Sequence, residues 1–289
     1  MKLIATDLDG TLLNEHHQIS PENLAAIRKA QSQGILVVVA TGRSYEAAQK
    51  PLQDAGLVCP VICMNGARTY TSISEIIRSV PLNSDVCEKI QAECEKDGLY
   101  FEVYTNEGIY SKDRESFIRV MMDIMRSANP ELESAEIKEF AEKRFQDEQF
   151  RFTENFDTLF TNDQIEVYKI LAFSYSKEKT DRINQRLANE SDLIITSSGF
   201  DNLEFNHPYA QKGLALEQFA NLHSIEMKDV MALGDSYNDL SMLKMVGHSV
   251  AMGNADEAIK AACNFVTKSN RENGVAYAIE EILQQLTKE

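Results

Sequence analysis

Four short stretches of the chain combine residue types able to do chemistry, and each lies beside an apolar run or a helix start. Asp7-Leu8-Asp9-Gly10 sets two carboxylates two residues apart, so that at a strand's exit both can face one cavity while Leu8 points elsewhere. Gly10 permits the sharp turn that brings backbone close to a ligand. Thr41-Gly42-Arg43-Ser44 offers a hydroxyl, a glycine amide and the first amides of a helix, the ingredients of an anion site. Lys212, just before Gly213, sits at a helix start where the macrodipole opposes a cation, so an anion is expected there. Gly234-Asp235-Ser236-Tyr237-Asn238-Asp239 places two carboxylates four apart across a turn, an oxygen-rich set suited to Mg2+. Each stretch alone has an ordinary structural reading: a solvated Asp-Gly turn, a helix cap on Thr41 or Ser44, a surface lysine, an Asx-turn. Four of them in series outweigh those readings, because open α/β sheets bind ligands at strand ends.

The elements that must position these residues follow from the hydrophobic pattern. Lys2–Thr6, Ile35–Ala40 and Pro60–Met64 are short apolar runs of the kind that form buried strands. Ser20 before Pro21 marks a helix start, with Leu24, Ile27 and Ala30 at helical spacing and Gly34 closing the element. A second helix is predicted over Ser44–Ala55, kinked by Pro51. Strand and helix in alternation predict a parallel sheet with right-handed crossovers. The C-terminal stretch repeats the pattern: helix Gly213–Leu222, strand Val230–Leu233, helix Leu240–Met245, strand Ser249–Ala251, helix Ala255–Ala262, strand Phe265–Val266 and helix Gly274–Leu286.

The middle of the chain reads differently. Predicted helices Val86–Lys96, Arg114–Arg126, Ala135–Glu148 and Glu178–Ala188 alternate with strands Leu99–Tyr104, Ile165–Ile170, Leu193–Thr196 and Asn202–Phe205. Apolar and charged residues alternate in these strands, which predicts an antiparallel sheet with one solvated face. The expected architecture is therefore α/β: a Rossmann-like doubly wound parallel-sheet core from residues 1–83 and 208–289, interrupted by an α+β domain over 84–207. Val80–Asn83 and Asn206–Tyr209 are the expected hinges.

Composition narrows the function classes. Lys plus Arg number 29 against 45 Asp plus Glu, a net charge of −16. Such a chain lacks the broad basic surface that nucleic-acid affinity needs. With 43% hydrophobic residues it can offset the entropy of ordering. No run of about 18 apolar residues is present, so no membrane-spanning helix is expected. A charge at Asp7 comes too early for a signal-peptide core, and the expected location is cytoplasmic. The five cysteines, an odd number, read as reduced thiols. Cys59 and Cys63 lack a second pair at zinc-finger spacing and read as buried small hydrophobes.

Taken together, the four stretches resemble the haloacid dehalogenase superfamily of phosphohydrolases, and more closely its Cof-type group with a large α+β (type IIB) cap inserted between the second and third motifs. The likeness covers essentially the whole chain and includes Met64-Asn65-Gly66-Ala67, Gly253-Asn254 and Val266–Asn270 before Asn273-Gly274. It implies that Asp7 is the nucleophile, forming an aspartyl-phosphate. It implies that Asp9 protonates the leaving alcohol and then activates water. Mg2+ would be held by the Asp7 carboxylate, the Asp9 backbone carbonyl and Asp235. Thr41, the Gly42 amide and Lys212 would hold phosphoryl oxygens, with the Leu8 amide and Asn238 completing the cradle. Asp239 would orient Lys212, with Arg43 and Asn65 alongside. Clustering Asp7, Asp9, Asp235 and Asp239 without cations would cost repulsion and raise pKa values. Aspartate at position 9 favours phosphoester hydrolysis or transfer over carbon–halogen cleavage.

The expected function is a Mg2+-dependent phosphatase for a small phosphorylated metabolite such as a sugar phosphate, FMN or a riboflavin-pathway phosphate. A phosphotransferase or phosphomutase is the second reading, and a non-catalytic phosphate-ligand sensor the third. A monomer or weak homodimer with no nucleic-acid or membrane partner is expected.

Overall fold

The apolar runs at the two ends of the chain meet in one sheet. This is a computed structural model that describes residues 1–128, 137, 142, 150–174, 176–197 and 202–286, with backbone alone at 121, 123–128 and 286. The strands in chain order are β1 (Leu3–Thr6), β2 (Leu36–Ala40), β3 (Val61–Cys63), β4 (Arg68–Tyr70), β5 (Ile76–Ser79), β6 (Tyr100–Thr105) and β7 (Gly108–Ser111). They continue with β8 (Phe150–Phe152), β9 (Val167–Phe173), β10 (Ile194–Thr196), β11 (Asn202–Asn206), β12 (Val230–Gly234), β13 (His248–Ala251) and β14 (Phe265–Val266). The chain divides into two units, Met1–Ser79 with Tyr209–Glu289, and Val80–Pro208.

The first unit holds an eight-stranded sheet in the order β14-β13-β12-β1-β2-β3-β4-β5. From β14 to β3 neighbours pair in parallel, giving the doubly wound α/β arrangement. β4 and β5 extend the edge as an antiparallel meander that the hydrophobic pattern did not announce. β5 is a half-exposed edge strand without a continuous apolar run, so its sequence carries little periodic signal. β1 and β12, at the centre, are buried along their whole length, as strands covered on both faces must be.

The flanking helices start where capping chemistry puts them. Helix α1 (Pro21–Ser32) is capped by Ser20, whose Oγ accepts from Asn23 N at 3.1 Å. Helix α2 (Tyr45–Asp54) is capped by Ser44, which accepts from Ala47 N at 3.3 Å. Pro51 lies inside α2 and has no N–H to give the carbonyl of Ala47, four residues back. That carbonyl accepts instead from Arg43 Nη1 at 3.1 Å.

The second unit is a six-stranded sheet in the order β10-β11-β9-β6-β7-β8, antiparallel except for β7 against β8. Helices α3 (Ser84–Lys96) and Lys177–Leu187 contribute Val86, Ile90 and Ile183 to a core with Phe101, Val103, Ile170, Ala172 and Phe205. The opposite sheet face corrects the expectation of a solvated surface. Glu102, Lys169 and Glu204 alternate with the core residues yet are buried. Tyr104 donates its hydroxyl to Glu102 Oε2 at 3.1 Å, and Lys169 Nζ lies 3.8 Å from Glu204 Oε1 and 4.3 Å from the centre of the Tyr104 ring. Polar alternation marked a second face, and mutual pairing lets that face be buried. α4 (Arg114–Ala128) and a short helix over Asp157–Phe160 complete the described helices of this unit. The helix expected over 135–148 falls almost wholly outside the described residues. All five cysteines are free thiols, four of them buried. No helix among the described residues is long and apolar enough to cross a membrane.

Candidate active site

Register aligns the ends of the central strands. Thr6 pairs with Leu233 on one side and Val39 on the other. Asp7, Asp235 and Thr41 therefore leave the same edge of the sheet, and β1 and β12 flank the point where the strand order reverses. Beyond Asp7 the chain makes a wide turn, with Leu12 N donating to Asp7 O (3.3 Å) and Leu13 N to Leu8 O (2.9 Å). Gly10 sits in this turn at φ +73°, and a side chain there would run into the Asp235 carboxylate. Three asparagines tie the turn down. Asn254 Nδ2 donates to Gly10 O at 2.8 Å, Asn270 Nδ2 to Leu13 O at 2.8 Å and buried Asn23 Nδ2 to Leu12 O at 3.2 Å.

The charge cluster forms around Lys212, the first residue of helix Lys212–Leu222, whose side chain is fully buried. Its Nζ donates to Asp7 Oδ1 at 2.7 Å and to Asp239 Oδ1 at 2.6 Å. The other Asp239 oxygen accepts from the backbone amides of Asp235 and Ser236, both at 3.0 Å. A side chain on Gly234 would press on Asp239, within 2.6 Å of its Cβ, so glycine is what lets β12 approach this carboxylate. Asp235 accepts from Thr11 Oγ1 at 2.9 Å and stands close to Asp7 and Asp239. Burial and the Asp239 charge push Asp7 well above the ordinary carboxylate range, with Lys212 offsetting only part. The same two causes raise Asp235 to about 6. Burial disfavours the Lys212 charge, but Asp239 and Asp7 outweigh it and raise its pKa. One ammonium thus faces three carboxylates.

That deficit is a direct test of whether a divalent cation fits. Asp7, Asp235 and Asp239 each offer an oxygen, all within 4.8 Å of one another, and hard carboxylate oxygens are the ligands Mg2+ prefers. The residues fit the ion. Beside them Asn238, itself buried, donates from Nδ2 to Asn65 Oδ1 at 3.3 Å. Its own Oδ1 is buried with no partner among the described residues, an orphan that a bound group would satisfy.

The Asp9 side chain is set apart from this cluster. It is exposed, and it forms a two-pronged pair with Arg43: Nε to Oδ2 at 2.7 Å and Nη2 to Oδ1 at 2.5 Å. Desolvation opposes its charge, but the Arg43 guanidinium prevails and holds Asp9 below the ordinary carboxylate range. Arg43 N also donates to Thr41 Oγ1 at 3.1 Å, and Asn65 N donates to Thr41 O at 3.1 Å. Leu8 is fully buried beneath the turn. The structure thus joins Asp7, Lys212, Asp235 and Asp239 directly. Thr41, Gly42, Arg43 and Asn65 form a second strand-end group, linked to the first through Asn238.

Several contributors carry no readable local signal. Thr11 and Gly10 lie inside a recognisable stretch, but their contact with Asp235 spans more than two hundred residues of sequence. Asn23 is a single amide in a helix, and Asn254 and Asn270 lie in stretches that carry the family likeness without saying what they hold. The Pro51–Ala47–Arg43 relay was half legible: proline inside a helix frees a carbonyl, but the sequence does not say who takes it.

Comparisons with known proteins identify the family. Residues 4–279 match the model of a family described as haloacid dehalogenase-like hydrolase. Phosphatase YwpJ of Bacillus subtilis (strain 168) is 39% identical over 285 residues, covering 98% of this chain and 100% of the relative. The 5-amino-6-(5-phospho-D-ribitylamino)uracil phosphatase YwtE of the same organism is 36% identical, covering 98% of each. A solved haloacid dehalogenase-like hydrolase from B. subtilis superposes with a TM-score of 0.88 at 39% identity, over 97% of this chain and 99% of that one.

Proposed function

We propose a mechanism from one premise: the chain belongs to the haloacid dehalogenase-like hydrolase family and is a phosphoric monoester hydrolase. The reading is a Mg2+-dependent phosphatase that works through an aspartyl-phosphate on Asp7. The observation that carries it is the excess of carboxylate over ammonium among Asp7, Asp235, Asp239 and Lys212 at the strand-order reversal. Mg2+, held by the Asp7 and Asp235 carboxylates and the Asp9 carbonyl, would supply neutralisation of the phosphoryl charge.

This chain's own residues do the rest. An Asp7 oxygen attacks phosphorus as the bond to the leaving alcohol breaks. Lys212, anchored by Asp239, steadies Asp7 and a phosphoryl oxygen, while Thr41, the Gly42 and Leu8 amides and Asn238 take the others. Asp9 gives its proton to the departing alkoxide, so Arg43 must release it before the carboxyl can carry one. Water then attacks the phosphoaspartate and loses a proton to Asp9, and Asp7 and inorganic phosphate separate. The substrate is a compact phosphomonoester, and a phosphoribityl compound is the favoured class. The Bacillus relative named for 5-amino-6-(5-phospho-D-ribitylamino)uracil supports that choice.

Acid-quenching the enzyme during turnover of p-nitrophenyl phosphate with Mg2+ is expected to leave a phosphoryl group on Asp7, located by peptide mass spectrometry. Label elsewhere, or none under turnover, overturns the mechanism. A panel of phosphorylated metabolites ranked by kcat/KM tests the substrate class, and a phosphoribityl compound should lead it.

A further inference from the structure

The second unit contains a cavity of about 780 Å³ lined only by its own residues. It lies where β6 begins and β9 ends, beside Tyr100 and Phe173. The connection entering this unit meets the other end of the sheet, where Leu82 N donates to Val167 O at 2.7 Å. The β11 strand leading out of the unit also ends there, since Asn202 rather than Asn206 pairs with Phe173. The volume falls within the range of small-molecule sites, roughly 300–1,000 Å³.

The lining has a definite chemistry. Lys112, Arg119 and Lys179 contribute three cations against the single carboxylate of Glu95, in a chain whose net charge is −16. Among the described residues none of the three cations is in an ion pair. Lys179 Nζ spends one of its three donors on Asp97 O at 2.7 Å, which fixes the ammonium in place. The rest of the lining mixes small, polar and apolar residues with four aromatics, of which Tyr100 and Phe173 are part-exposed while Phe101 and Phe156 belong to the core. Tyr100 and Phe173 lie with ring centres 6.1 Å apart, and Phe101 packs on Phe156 at 4.7 Å. A lone surface lysine needs no explanation, but three cations without an ion pair among the described residues, Arg119 having a carboxylate neighbour in Asp113, around one hollow that holds aromatic side chains do.

We infer that this cavity, built wholly from residues of the second unit, is a binding site for a small organic anion with a planar ring. Carboxylate and phosphoryl groups satisfy the same donors, and the ring stacks on Tyr100 and Phe173. The inference does not rest on the proposed mechanism, because none of these residues belongs to it.

Calorimetric titration of the full-length protein with 2-naphthoate and with 2-naphthylphosphonate tests the site; neither probe is a phosphoester. Saturable binding of at least one is expected. Arg119→Gln and Lys112→Gln should each weaken it about tenfold, the loss of one charge-assisted hydrogen bond. Exposed Lys177→Gln, outside the lining, should leave it unchanged, and p-nitrophenyl phosphate turnover without probe should be equal in all three variants. The tighter probe identifies the anion class. No saturable binding of either probe at millimolar concentration overturns the inference. So does affinity indifferent to Arg119, or affinity equally reduced by Lys177→Gln.

Discussion

Two charge clusters in this molecule have opposite character. In the second unit Asp97 accepts from Arg182 at 2.9 Å and from Arg186, which also pairs with Glu93. Two carboxylates meet two guanidiniums, with Lys96 Nζ also 3.8 Å from Glu93, the side chains keep partial contact with water, and the hydrogen bonds from Arg186 and Arg182 pull Asp97 down to about 2. In the first unit three carboxylates meet one ammonium in deeper burial, and both Asp7 and Asp235 are pushed up. Balanced charge lowers an acid's pKa and stabilises what it joins. Unbalanced buried charge is stress that folding alone has no reason to keep, and a bound cation and phosphoryl group relieve it.

The largest test of that contrast is at Asp7. Asp7→Asn should lower p-nitrophenyl phosphate turnover by about three to six orders of magnitude, in line with the loss of a catalytic nucleophile. It removes a carboxylate whose charge is disfavoured, so thermal unfolding should show the variant at least as stable as the wild type. Near-normal turnover would end the reading of Asp7 as nucleophile. Lys212→Met acts in the opposite sense. It strands Asp7 and Asp239 without their ammonium, and removing one partner of a buried pair costs about 3–5 kcal/mol. Denaturant titration without metal should show that loss, and added Mg2+ should restore part of it. A variant as stable as the wild type would mean that the cluster is not under the stress described.

Sequence and structure differ most where contacts run long. The α/β alternation, the helix caps at Ser20 and Ser44 and the strand ends carrying Asp7, Thr41 and Asp235 were legible, because period, capping and turn chemistry are local. The β4–β5 meander was not, since an exposed edge strand needs no apolar run. Nor was the burial of Glu102, Lys169 and Glu204, because alternation reports which face a residue is on and pairing decides whether that face is wet. Thr11 against Asp235, the asparagine straps and Arg43 on the Ala47 carbonyl were illegible for the same reason: each joins single residues that only the fold brings together. The doublet Asp7–Asp9 looked like one functional pair, yet the two carboxyls have separate partners and opposite pKa shifts.

A subtler test uses Asp235. Its pKa of about 6 in the folded chain lies above the value of about 4 for an unfolded one. A raised carboxylate pKa means that folded stability falls as pH climbs through that window, and the penalty is complete above it. Without metal, Asp235→Asn should therefore be more stable than the wild type at pH 7, by about 1–2 kcal/mol after allowing for partial solvent screening. The advantage should shrink to nothing near pH 4. With Mg2+ the order should reverse, because the ion stabilises only the chain that binds it well. Melting curves at several pH values, each with and without Mg2+, read all three effects.

The smallest effect belongs to the balanced cluster and is where the contrast can be made sharpest. Asp97 is depressed to about 2, so its stabilising interaction is fully present above the unfolded carboxylate value. It is lost as pH falls through the folded one. Asp97→Asn should melt below the wild type at pH 7, and the gap should close as the pH approaches 2. That is the reverse of the trend for Asp235→Asn, in sign and in pH window. Mg2+ should leave the gap unchanged, since no carboxylate excess exists there to attract it, and p-nitrophenyl phosphate turnover should not move. If Asp97→Asn instead melted higher than the wild type at pH 7, the two clusters would share one electrostatic character, and carboxylate excess would no longer distinguish the site from the scaffold.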